Sequence, residues 1–495
     1  MIPLDPVPRP IDHLTLRGSP GDPALATREG VLDYAGLEAA VGALAGWLAA
    51  QGLAPGARVA TWLPKTRIAC LMPLAAVRAG LVHVPVNPVL KHMQVEHILN
   101  DSGAGLLLTQ PARAETLAIG VCRVVTDEPS LDGPELPPSA ADPDALAALL
   151  YTSGSTGRPK GVMLSHANLW LGAISVAHYL KLTPADRVLG VLPLSFDYGQ
   201  NQLFSTWAAG GCVVPLDYLL PRDVYRAIER EEITTLAGVP PLWAQLLDVD
   251  PKQIDVNDLK RLTNSGGALT RRMIDGLRAR FPQAGIYPMY GLTEAFRSTY
   301  LDPALVADHP DSIGRAIPFA EVLVVRRDGN RAPPGEAGEL VHAGPLVAQG
   351  YWRDAERTAQ RFRAAPEWAE SGGMAVWSGD TVMANADGLL RFVGRDDEMI
   401  KSAGNRISPS EIEEAITAGG ETSEAVALGM PDDKLGQTIL VIAKGDGSTE
   451  ADLRERLRRE LPNFMQPLRY DWRAELPRNA NGKLDRAGLK GEVTS

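Results

Sequence analysis

Residues 151–161 form the stretch that most constrains this chain, because they combine small, hydroxylated and cationic residues in one turn. The sequence YTSGSTGRPKG follows an apolar run at residues 145–150 and precedes the strand-like residues 162–164. Glycine has no Cβ, so backbone N–H groups and hydroxyls of such a strand–loop–strand can converge on an anion. Lys160 adds a point charge that suits a polyphosphate. A loop of this composition is also typical of an exposed surface turn, and the rest of the chain has to decide between the two interpretations.

The loop differs from two well-known phosphate-binding patterns. The Walker pattern GxxxxGK[ST] requires four residues between its glycines, whereas two residues separate Gly154 from Gly157. The GxGxxG pattern of dinucleotide-binding proteins is also missing from this stretch. If residues 151–161 bind phosphate, their sequence pattern therefore differs from both of these.

Length, charge and cysteine content exclude several classes of protein. The 495 residues exceed the roughly 250–300 residues that one hydrophobic core can serve, which predicts two or more domains. A balance of 49 Lys and Arg against 60 Asp and Glu gives a net charge of −11 and argues against a protein that coats nucleic acid. The cysteines Cys70, Cys122 and Cys212 are too widely spaced for a disulfide framework or a CxxC metal site. Neither a signal peptide nor a membrane span is recognisable, so we expect a cytoplasmic protein.

Helix and strand patterns alternate along the first part of the chain, which predicts an α/β fold with parallel-type sheets flanked by helices. Helical patterns cover residues 34–52, 69–79 and 166–180, and strand patterns cover residues 58–63, 81–86, 188–192, 234–239 and 262–265. The last strands run into small-residue turns, where open α/β sheets bind ligands. From residue 312, short alternating strands at 321–326, 338–342 and 389–393 predict a β-rich subdomain.

The pattern changes again after residue 394. Ser408 to Glu411 form a capping box with proline at the first helical position, so we expect a helix to begin there. Strands at 425–430 and 438–444 and a charged amphipathic helix at 452–461 follow. We therefore predict a large N-terminal domain, residues 1–394, and a small α+β C-terminal domain, residues 395–495, joined by a short hinge.

Six motifs occur in a fixed order along the chain. They are TSGSTGRPKG at 152–161, YGLTE at 290–294, GEAGEL at 335–340, WSGD at 377–380, GRDDEMIKSAGNRI at 394–407 and PRNANGK at 477–483. In this order they resemble the motifs of the adenylate-forming, AMP-producing ligase superfamily, which contains acyl-CoA synthetases, the adenylation domains of peptide synthetases and luciferases. The resemblance covers nearly the whole chain. Residues 193–199 and 290–301 are most similar to the exosortase A-associated AMP-dependent acyl-CoA ligases.

The resemblance implies an ATP-dependent acid–thiol ligase. In such enzymes a carboxylate attacks the α-phosphate of ATP, which gives acyl-AMP and pyrophosphate, and the thiol of CoA then displaces AMP. The alternative is a stand-alone adenylation enzyme that loads an amino or acyl acid onto the phosphopantetheine of a carrier protein in trans. Either reaction uses ATP, Mg²⁺, a small carboxylic acid, and CoA or the carrier-protein phosphopantetheine. A non-catalytic binding paralogue is disfavoured, because Glu294, Asp380 and Lys483 are all present.

The same resemblance assigns nucleotide-binding residues. The β- and γ-phosphates would be held by the loop residues Thr152, Ser153, Gly154, Ser155, Thr156, Gly157 and Lys160. The adenine would be enclosed by Gly266, Gly267, Ala268, Tyr290 and Gly291. Asp380 would accept both ribose hydroxyls, which suits an acceptor-only group, and Arg395 would also face the nucleotide. Ser378 departs from the superfamily, which more often has Arg-Thr before Gly-Asp, and this weakens the assignment of the ribose site.

Three residues are implied to act on the reacting phosphate. Thr293 would hold the α-phosphate, and Glu294 would bind Mg²⁺, a hard cation that prefers oxygen ligands. Lys483 would bridge the carboxylate and the α-phosphate and neutralise charge as it develops. In this superfamily the small domain rotates between the two half-reactions. Asp397 aligns with the pivot, and Lys401 and Gly404 lie on the face that would replace Lys483.

The sequence leaves the acid substrate open. Phe196 stands where acyl-CoA synthetases often carry histidine, and Asp197 follows it. These two residues and Gly266 are the predicted substrate-binding residues. In amino-acid-activating relatives a Phe-Asp pair at this place holds the substrate α-ammonium. The other interpretation is that Asp197 pairs with a nearby cation such as Arg297.

The role implied for Lys483 predicts a selective loss of one half-reaction. Lys483→Ala should lower the rate of acyl-AMP formation by roughly 10²–10³, the usual effect of removing one electrostatic contact to a transition state. The variant should still convert preformed acyl-AMP to thioester. Pyrophosphate release and thioester formation, measured separately, check this. Adenylation above a tenth of the wild-type rate would show that Lys483 does not have this role.

Overall fold

A computed structural model of the chain describes residues 2–118, 120, 122–152, 159–251, 254–269, 271–395, 400–407, 409–477, 484 and 486–494. Several residues assigned from the sequence lie outside these ranges. They are Ser153, Gly154, Ser155, Thr156, Gly157, Asp397 and Lys483.

The α-helices of the described ranges are α1 Tyr34–Ala49, α2 Arg67–Arg78, α3 His92–Ser102, α4 Pro111–Ala114, α5 His166–Tyr179, α6 Asp197–Ala208, α7 Pro221–Arg230, α8 Pro240–Asp248, α9 Arg271–Arg280, α10 Ala355–Arg361, α11 Pro409–Ala418, α12 Glu450–Glu460 and α13 Arg486–Thr494. Short 3₁₀ helices lie at Ile11–Leu16, Thr293–Ala295, Pro303–Leu305 and Asn463–Met465.

The strands are β1 Pro23–Thr27, β2 Gly30–Asp33, β3 Arg58–Trp62, β4 Val82–Pro85, β5 Ala104–Thr109, β6 Arg123–Val125, β7 Leu146–Thr152, β8 Lys160–Ser165, β9 Arg187–Gly190, β10 Cys212–Pro215, β11 Thr235–Gly238, β12 Arg261–Asn264, β13 Gly285–Tyr290, β14 Thr299–Tyr300, β15 Ser312–Ala316, β16 Glu321–Val325, β17 Ala337–Ala343, β18 Phe362–Ala364, β19 Met374–Ala384, β20 Leu390–Arg395, β21 Ile400–Ser402, β22 Asn405–Ile407, β23 Ala425–Asp432, β24 Gly436–Lys444 and β25 Arg469–Arg473.

Three sheets organise these strands. The largest has the order β16-β17-β19-β20-β15-β14-β13-β12-β11-β9-β10-β1-β2, with β18 beside β19. Its middle strands β10, β9, β11, β12 and β13 pair in parallel, whereas the strands from β14 to β16 pair antiparallel. A second sheet has the order β6-β5-β3-β4-β7-β8, and a third, smaller sheet joins β21 to β25 in the C-terminal part.

This architecture confirms the predicted fold class: a mixed α/β core with parallel strands, a β-rich antiparallel extension and a small α+β unit at the C-terminus. Element ends move by a few residues, as in the helix predicted over 34–52, which ends at Ala49. The strands predicted on either side of the phosphate loop are β7 and β8, which pair antiparallel with Thr152 opposite Lys160. The domain boundary at residue 394 stays a prediction.

Side-chain capping fixes the beginning of α5, the helix that follows this hairpin. The Ser165 hydroxyl accepts a hydrogen bond from the Asn168 N–H at 3.1 Å, and the Asn168 side chain accepts one from the Ser165 N–H at 3.0 Å. Such a reciprocal cap satisfies two N–H groups that have no partner inside the helix. α5 therefore begins directly after the hairpin.

None of the helices described is long and apolar enough to cross a membrane.

A buried ion pair links the beginnings of the parallel strands β9 and β12. Arg261, the first residue of β12, lies 2.7 Å from Asp186 just before β9. Asp186 also accepts hydrogen bonds from the hydroxyls of Thr183 and Thr234. Burial raises the pKa of the Asp186 carboxyl, but the hydrogen bond and charge of Arg261 and the two hydroxyls outweigh burial and hold the pKa below its usual 3.8. Asp186 therefore stays ionised.

Because the folded pKa of Asp186 is lowered, its contribution to stability is present above the unfolded pKa of about 3.9 and is lost as the pH falls through the folded value. Asp186→Asn should lower the free energy of unfolding by about 3–5 kcal/mol, since it leaves Arg261 buried without a charged partner. The difference from wild type should be constant between pH 7 and pH 5. Urea unfolding of both proteins at several pH values checks this.

Glu336→Gln is the matched control, because Glu336 pairs with Arg326 at 2.7 Å with both side chains 41% exposed. Exposed pairs of this kind contribute about 0–1 kcal/mol. An equal loss of stability in the two variants would contradict the role assigned to Asp186.

Candidate functional site

The carboxyl ends of neighbouring parallel strands bring the predicted site residues together. β11 leads into Val239, β12 into Gly266 and Gly267, and β13 ends at Tyr290. Strands of one parallel sheet end at one edge, so these turns form a continuous rim. The backbones approach closely there: a Cβ on Gly267 would lie 2.9 Å from the Pro240 ring, and Gly266 adopts a φ of +77°. This rim is the candidate site.

Glu294 and Lys160 face each other across this rim. The Lys160 Nζ lies 3.3 Å from the Glu294 carboxylate. The Tyr351 hydroxyl accepts a hydrogen bond from Lys160 at 2.6 Å and donates one to Glu294 at 2.6 Å, and the Tyr351 ring lies 3.9 Å below the ammonium. Glu294 is 3% exposed. The end of the phosphate loop is thus joined to the YGLTE motif through a tyrosine.

Tyr290 and Asp380 form a second contact of the site. The Tyr290 hydroxyl donates a hydrogen bond to the Asp380 carboxylate. Asp380 is 4% exposed, and its backbone N–H donates to the Ser378 hydroxyl at 3.0 Å. Ser378, the residue that departs from the superfamily pattern, therefore orients the Asp380 backbone. In the backbone register of the antiparallel strands β19 and β20, Arg395 lies opposite Asp380.

Asp197 lies at the first position of α6, directly beside Thr293. The Thr293 hydroxyl donates a hydrogen bond of 3.2 Å to the Asp197 carboxylate. Burial raises the pKa of this carboxyl above its usual value, although the charge of Arg297 and the Thr293 hydrogen bond oppose that shift. No ion pair within 4.0 Å joins the described residues Asp197 and Arg297. Phe196 precedes them as the N-cap of α6 and is half-buried.

The direct pairing of Asp197 with Arg297 that the sequence suggested as one interpretation is therefore wrong, because Arg297 acts on the carboxyl only through its longer-range field.

The C-terminal sheet contributes one face to the same rim. Gly404 packs against Val239, where a Cβ on Gly404 would lie 2.9 Å from a Val239 methyl group, and its carbonyl oxygen approaches Gly266. The Lys401 ammonium lies 4.6 Å from the centre of the Phe392 ring, which in turn lies 6.4 Å from the Tyr290 ring. The structure thus brings Lys401 and Gly404 next to the site residues of the large sheet.

Two features of the site have no signal in the sequence: the bridging role of Tyr351 and the separation of Arg297 from Asp197. Tyr351 lies far along the chain from both residues that it joins, and its neighbours form none of the six motifs. Arg297 follows YGLTE, and its charge alone suggested only a partner for Asp197. The described residues hold no group of three or more His, Cys, Asp or Glu that could bind a metal by themselves.

Comparisons with known proteins match nearly the whole chain. The model of the AMP-binding enzyme family matches residues 14–352, and that of the AMP-binding enzyme C-terminal domain matches residues 411–483. The feruloyl-CoA synthase of an Amycolatopsis species is 34% identical, with 95% of each chain covered. The L-proline–[L-prolyl-carrier protein] ligase of Pseudomonas fluorescens is 32% identical, with 96% of this chain and 97% of the ligase covered.

One relative is much longer than this chain. A linear gramicidin synthase chain of Brevibacillus parabrevis is 30% identical over 96% of this chain, which spans only 10% of that synthase chain.

Two solved structures of one enzyme resemble the fold to different degrees. The o-succinylbenzoate CoA synthetase of Bacillus subtilis, as a double mutant bound to the product analogue OSB-NCoA, has a TM-score of 0.86 at 26% identity and 98% coverage of both chains. The same enzyme in complex with the acyl-adenylate intermediate OSB-AMP has a TM-score of 0.70 at the same identity and coverage. The narrower resemblance to exosortase A-associated ligases stays a prediction.

Proposed function

Because the chain belongs to the AMP-binding enzyme family, we propose that it activates a carboxylic acid as an acyl-adenylate and transfers the acyl group to the thiol of CoA. In the first step a carboxylate oxygen bonds to the α-phosphorus of ATP, and the bond to the β-phosphate breaks and releases pyrophosphate. In the second step the CoA sulfur bonds to the acyl carbon, AMP leaves with the electron pair of the broken C–O bond, and the thiol proton passes to solvent.

The described residues fit ATP at the phosphate end of the site. The Thr152 hydroxyl is buried and has no hydrogen-bond partner among the described residues, although it lies directly before the loop. A buried hydroxyl without a partner is costly, and a phosphate oxygen would supply one. Lys160 brings a positive charge to the same place, and its partner Glu294 balances that charge until the nucleotide enters.

Glu294 also fits Mg²⁺, which takes oxygen ligands and commonly uses one or two carboxylates together with substrate phosphates. When bound, Mg²⁺ would neutralise negative charge on the phosphates. Thr293, next to Glu294, would bind the α-phosphate. Asp380 would accept hydrogen bonds from the ribose hydroxyls, and the aromatic ring of Tyr290 would face the adenine. Arg395 and Lys483 keep the roles proposed from the sequence.

The position of Gly404 against Val239 and Gly266 is the observation that carries the proposed thioester step, whichever molecule supplies the thiol. The face of the small unit assigned to the thioester step already lies on the site. The higher TM-score with the complex of the CoA product analogue, 0.86 against 0.70 for the acyl-adenylate complex, supports the same arrangement of the two parts. The full-length match to a feruloyl-CoA synthase is what favours CoA as the source of the thiol.

A carrier protein is the second candidate acceptor. The full-length match to a prolyl-carrier-protein ligase favours it almost as strongly as the other match favours CoA. CoA and a carrier protein present the same phosphopantetheine thiol, so both would use the face with Lys401 and Gly404. They differ in what surrounds that thiol.

The acceptor can be identified in one experiment. We expect acid-dependent release of pyrophosphate from ATP and, after CoA is added, formation of acyl-CoA detected by mass spectrometry. Transfer to a phosphopantetheinylated carrier protein, with no acyl-CoA formed, would replace CoA by the second candidate. If no acid tested causes the release of pyrophosphate, the proposal as a whole is contradicted.

Tyr351→Phe tests the link between the phosphate loop and the YGLTE motif. The change removes two hydrogen bonds to charged groups, each worth about 1.5–3 kcal/mol, so kcat/KM for ATP should fall by about a hundredfold to ten-thousandfold. The fold should be retained, because the ring still packs edge-on against Phe362 at 5.3 Å. Tyr470→Phe is the control, since no hydrogen bond of its hydroxyl occurs in the described part of the chain. A change below twofold in Tyr351→Phe would show that the link is not needed.

A further inference from the structure

One face of helix α3 carries polar side chains that contact the parts of the chain assigned to the two half-reactions. Gln94, His97 and Asp101 are separated by three and four residues. Side chains with this spacing lie on the same face of a helix, one above the other. Gln94 is only 8% exposed. This end of the polar face is therefore covered by other parts of the chain rather than by solvent.

The first residue of this face, Gln94, contacts the small C-terminal unit. Its Nε2 lies 3.5 Å from the Glu411 carboxylate on α11 and 3.9 Å from the Met465 sulfur. Its Oε1 accepts a hydrogen bond from the Lys91 N–H at 2.9 Å, at the beginning of α3. Because an amide has separate donor and acceptor ends, this bond leaves the N–H₂ group directed at the small unit. A rotation of the small unit would break the contact.

The second residue, His97, holds the C-terminal end of the phosphate loop. The ring Nε2 lies 3.1 Å from the Pro159 carbonyl, directly before Lys160. A carbonyl oxygen can only accept, so Nε2 carries the proton and donates it. Lys160 in turn contacts Tyr351 and Glu294. His97 therefore fixes the backbone from which the lysine reaches the candidate phosphate site.

The third residue, Asp101, anchors the same helix to the other strand of the hairpin. Its carboxylate accepts a hydrogen bond from the Tyr151 hydroxyl at 2.5 Å. Burial and this hydrogen bond raise the pKa of Tyr151, so the hydroxyl stays protonated and continues to donate. The Asp101 carbonyl accepts a hydrogen bond from the Trp352 indole N–H at 3.1 Å, next to Tyr351. α3 is thus fixed to both sides of the hairpin and to the segment that carries Tyr351.

The C-terminal end of α3 is also held in place. The Arg58 guanidinium donates hydrogen bonds to the Ser102 carbonyl at 2.7 Å and to the Gly103 carbonyl at 3.0 Å. Gly103 ends the helix with a φ of +61°, the left-handed conformation that glycine adopts readily. A cation at the carboxyl end of a helix is also stabilised by the helix dipole. α3 therefore keeps its contact residues in a fixed relation to one another.

We propose that this face of α3 positions both half-reactions, with a different residue for each. Gln94 orients the small unit for the thioester step, and His97 orients the end of the phosphate loop for acyl-AMP formation. Both are positioning residues, because they touch the small unit and the loop backbone rather than the reacting atoms. The proposal rests on the function proposed above and deepens it by naming residues that act on one step only.

The experiment measures the two half-reactions separately in the full-length protein. Pyrophosphate release from ATP and Mg²⁺ is followed with acetate, hexanoate, benzoate and L-alanine. The acyl-AMP of the most active acid is then supplied with CoA or, where CoA does not react, with a phosphopantetheinylated carrier protein. If wild type releases no pyrophosphate with any of these acids, the proposed function and the roles of Gln94 and His97 fall together. If wild type is active and the variants do not separate the steps, only these roles fall.

Gln94→Ala should slow the conversion of preformed acyl-AMP to thioester by about three- to tenfold, the usual range for the loss of one hydrogen bond. Pyrophosphate release should stay within about twofold of wild type, which also shows that the variant is folded. Equal losses in the two steps, or an unchanged thioester rate, would exclude Gln94.

Asp248→Asn is the matched control for Gln94. Asp248 pairs with Lys434 at 3.3 Å between the same two parts of the chain, but the side chains are 62% and 74% exposed. Exposed pairs contribute little, so both rates should stay within about twofold of wild type. A thioester loss in Asp248→Asn as large as that in Gln94→Ala would show that any contact between the two parts has this effect and would remove the special role of α3.

His97→Leu should act on the other step. We expect the KM for ATP in pyrophosphate release to rise by about three- to tenfold, because the Pro159 carbonyl loses its donor. Conversion of preformed acyl-AMP to thioester should not change, since that step uses no ATP. His97→Gln should restore most of the wild-type KM, because its amide can donate to the same carbonyl. An unchanged KM in His97→Leu, or an equal rise in His97→Gln, would exclude His97.

His13→Leu is the matched control for His97. His13 makes the same kind of contact, from Nε2 to the Ser139 carbonyl at 2.8 Å, but it lies in the 3₁₀ helix Ile11–Leu16. The KM for ATP should be that of wild type in this variant. A rise equal to that in His97→Leu would show a general effect of losing such a contact and would contradict the role of His97.

Discussion

The parallel pairing of β9, β11, β12 and β13 is the constraint on which the site depends. These strands are locked side by side, so the turns that follow them open at one edge of the sheet. Gly266 and Gly267 then lie beside Tyr290 even though they are separate in sequence. The Asp186–Arg261 pair holds the opposite ends of two of these strands. A shift of one strand by a residue would move every side chain of that strand to the other face of the sheet and displace the turn that follows it.

Local pattern was sufficient for much of the fold and for part of the site. The hairpin of β7 and β8, helix α5 and the strand ends near Gly238 and Asn264 all follow from residue spacing and glycine content near each element. Glu294, Asp380 and Tyr290 could be named because each belongs to a short motif. What these residues contact could not be named, because a hydrogen bond such as Tyr290 to Asp380 depends on how β13 and β19 are arranged in three dimensions.

The errors and omissions have the same origin. Asp197 and Arg297 are near in sequence to well-marked motifs and carry opposite charges, so pairing between them was a reasonable hypothesis. Phe296 has a φ of +60°, and the Arg297 guanidinium donates to the Ser265 hydroxyl at 2.7 Å and lies 4.6 Å from the centre of the Tyr198 ring instead. Nothing in the residue types around Phe296 indicates a positive φ. Tyr351 was missed because its role exists only where β8, the 3₁₀ helix at Thr293–Ala295 and the segment before α10 meet.

The contact between Gly172 in α5 and the Phe296 ring has a consequence for how proteins of this architecture can diverge. The glycine lies in the middle of a helix and touches no ligand-facing group, yet its missing side chain is what allows the ring, and with it the turn before Arg297, to adopt its position. A chain with a larger residue in that helix would have to redirect the turn and place another side chain beside Ser265 and Tyr198. A position inside a helix would then decide which side chain follows the YGLTE motif into the interior, and two chains with identical motifs could differ there because of it.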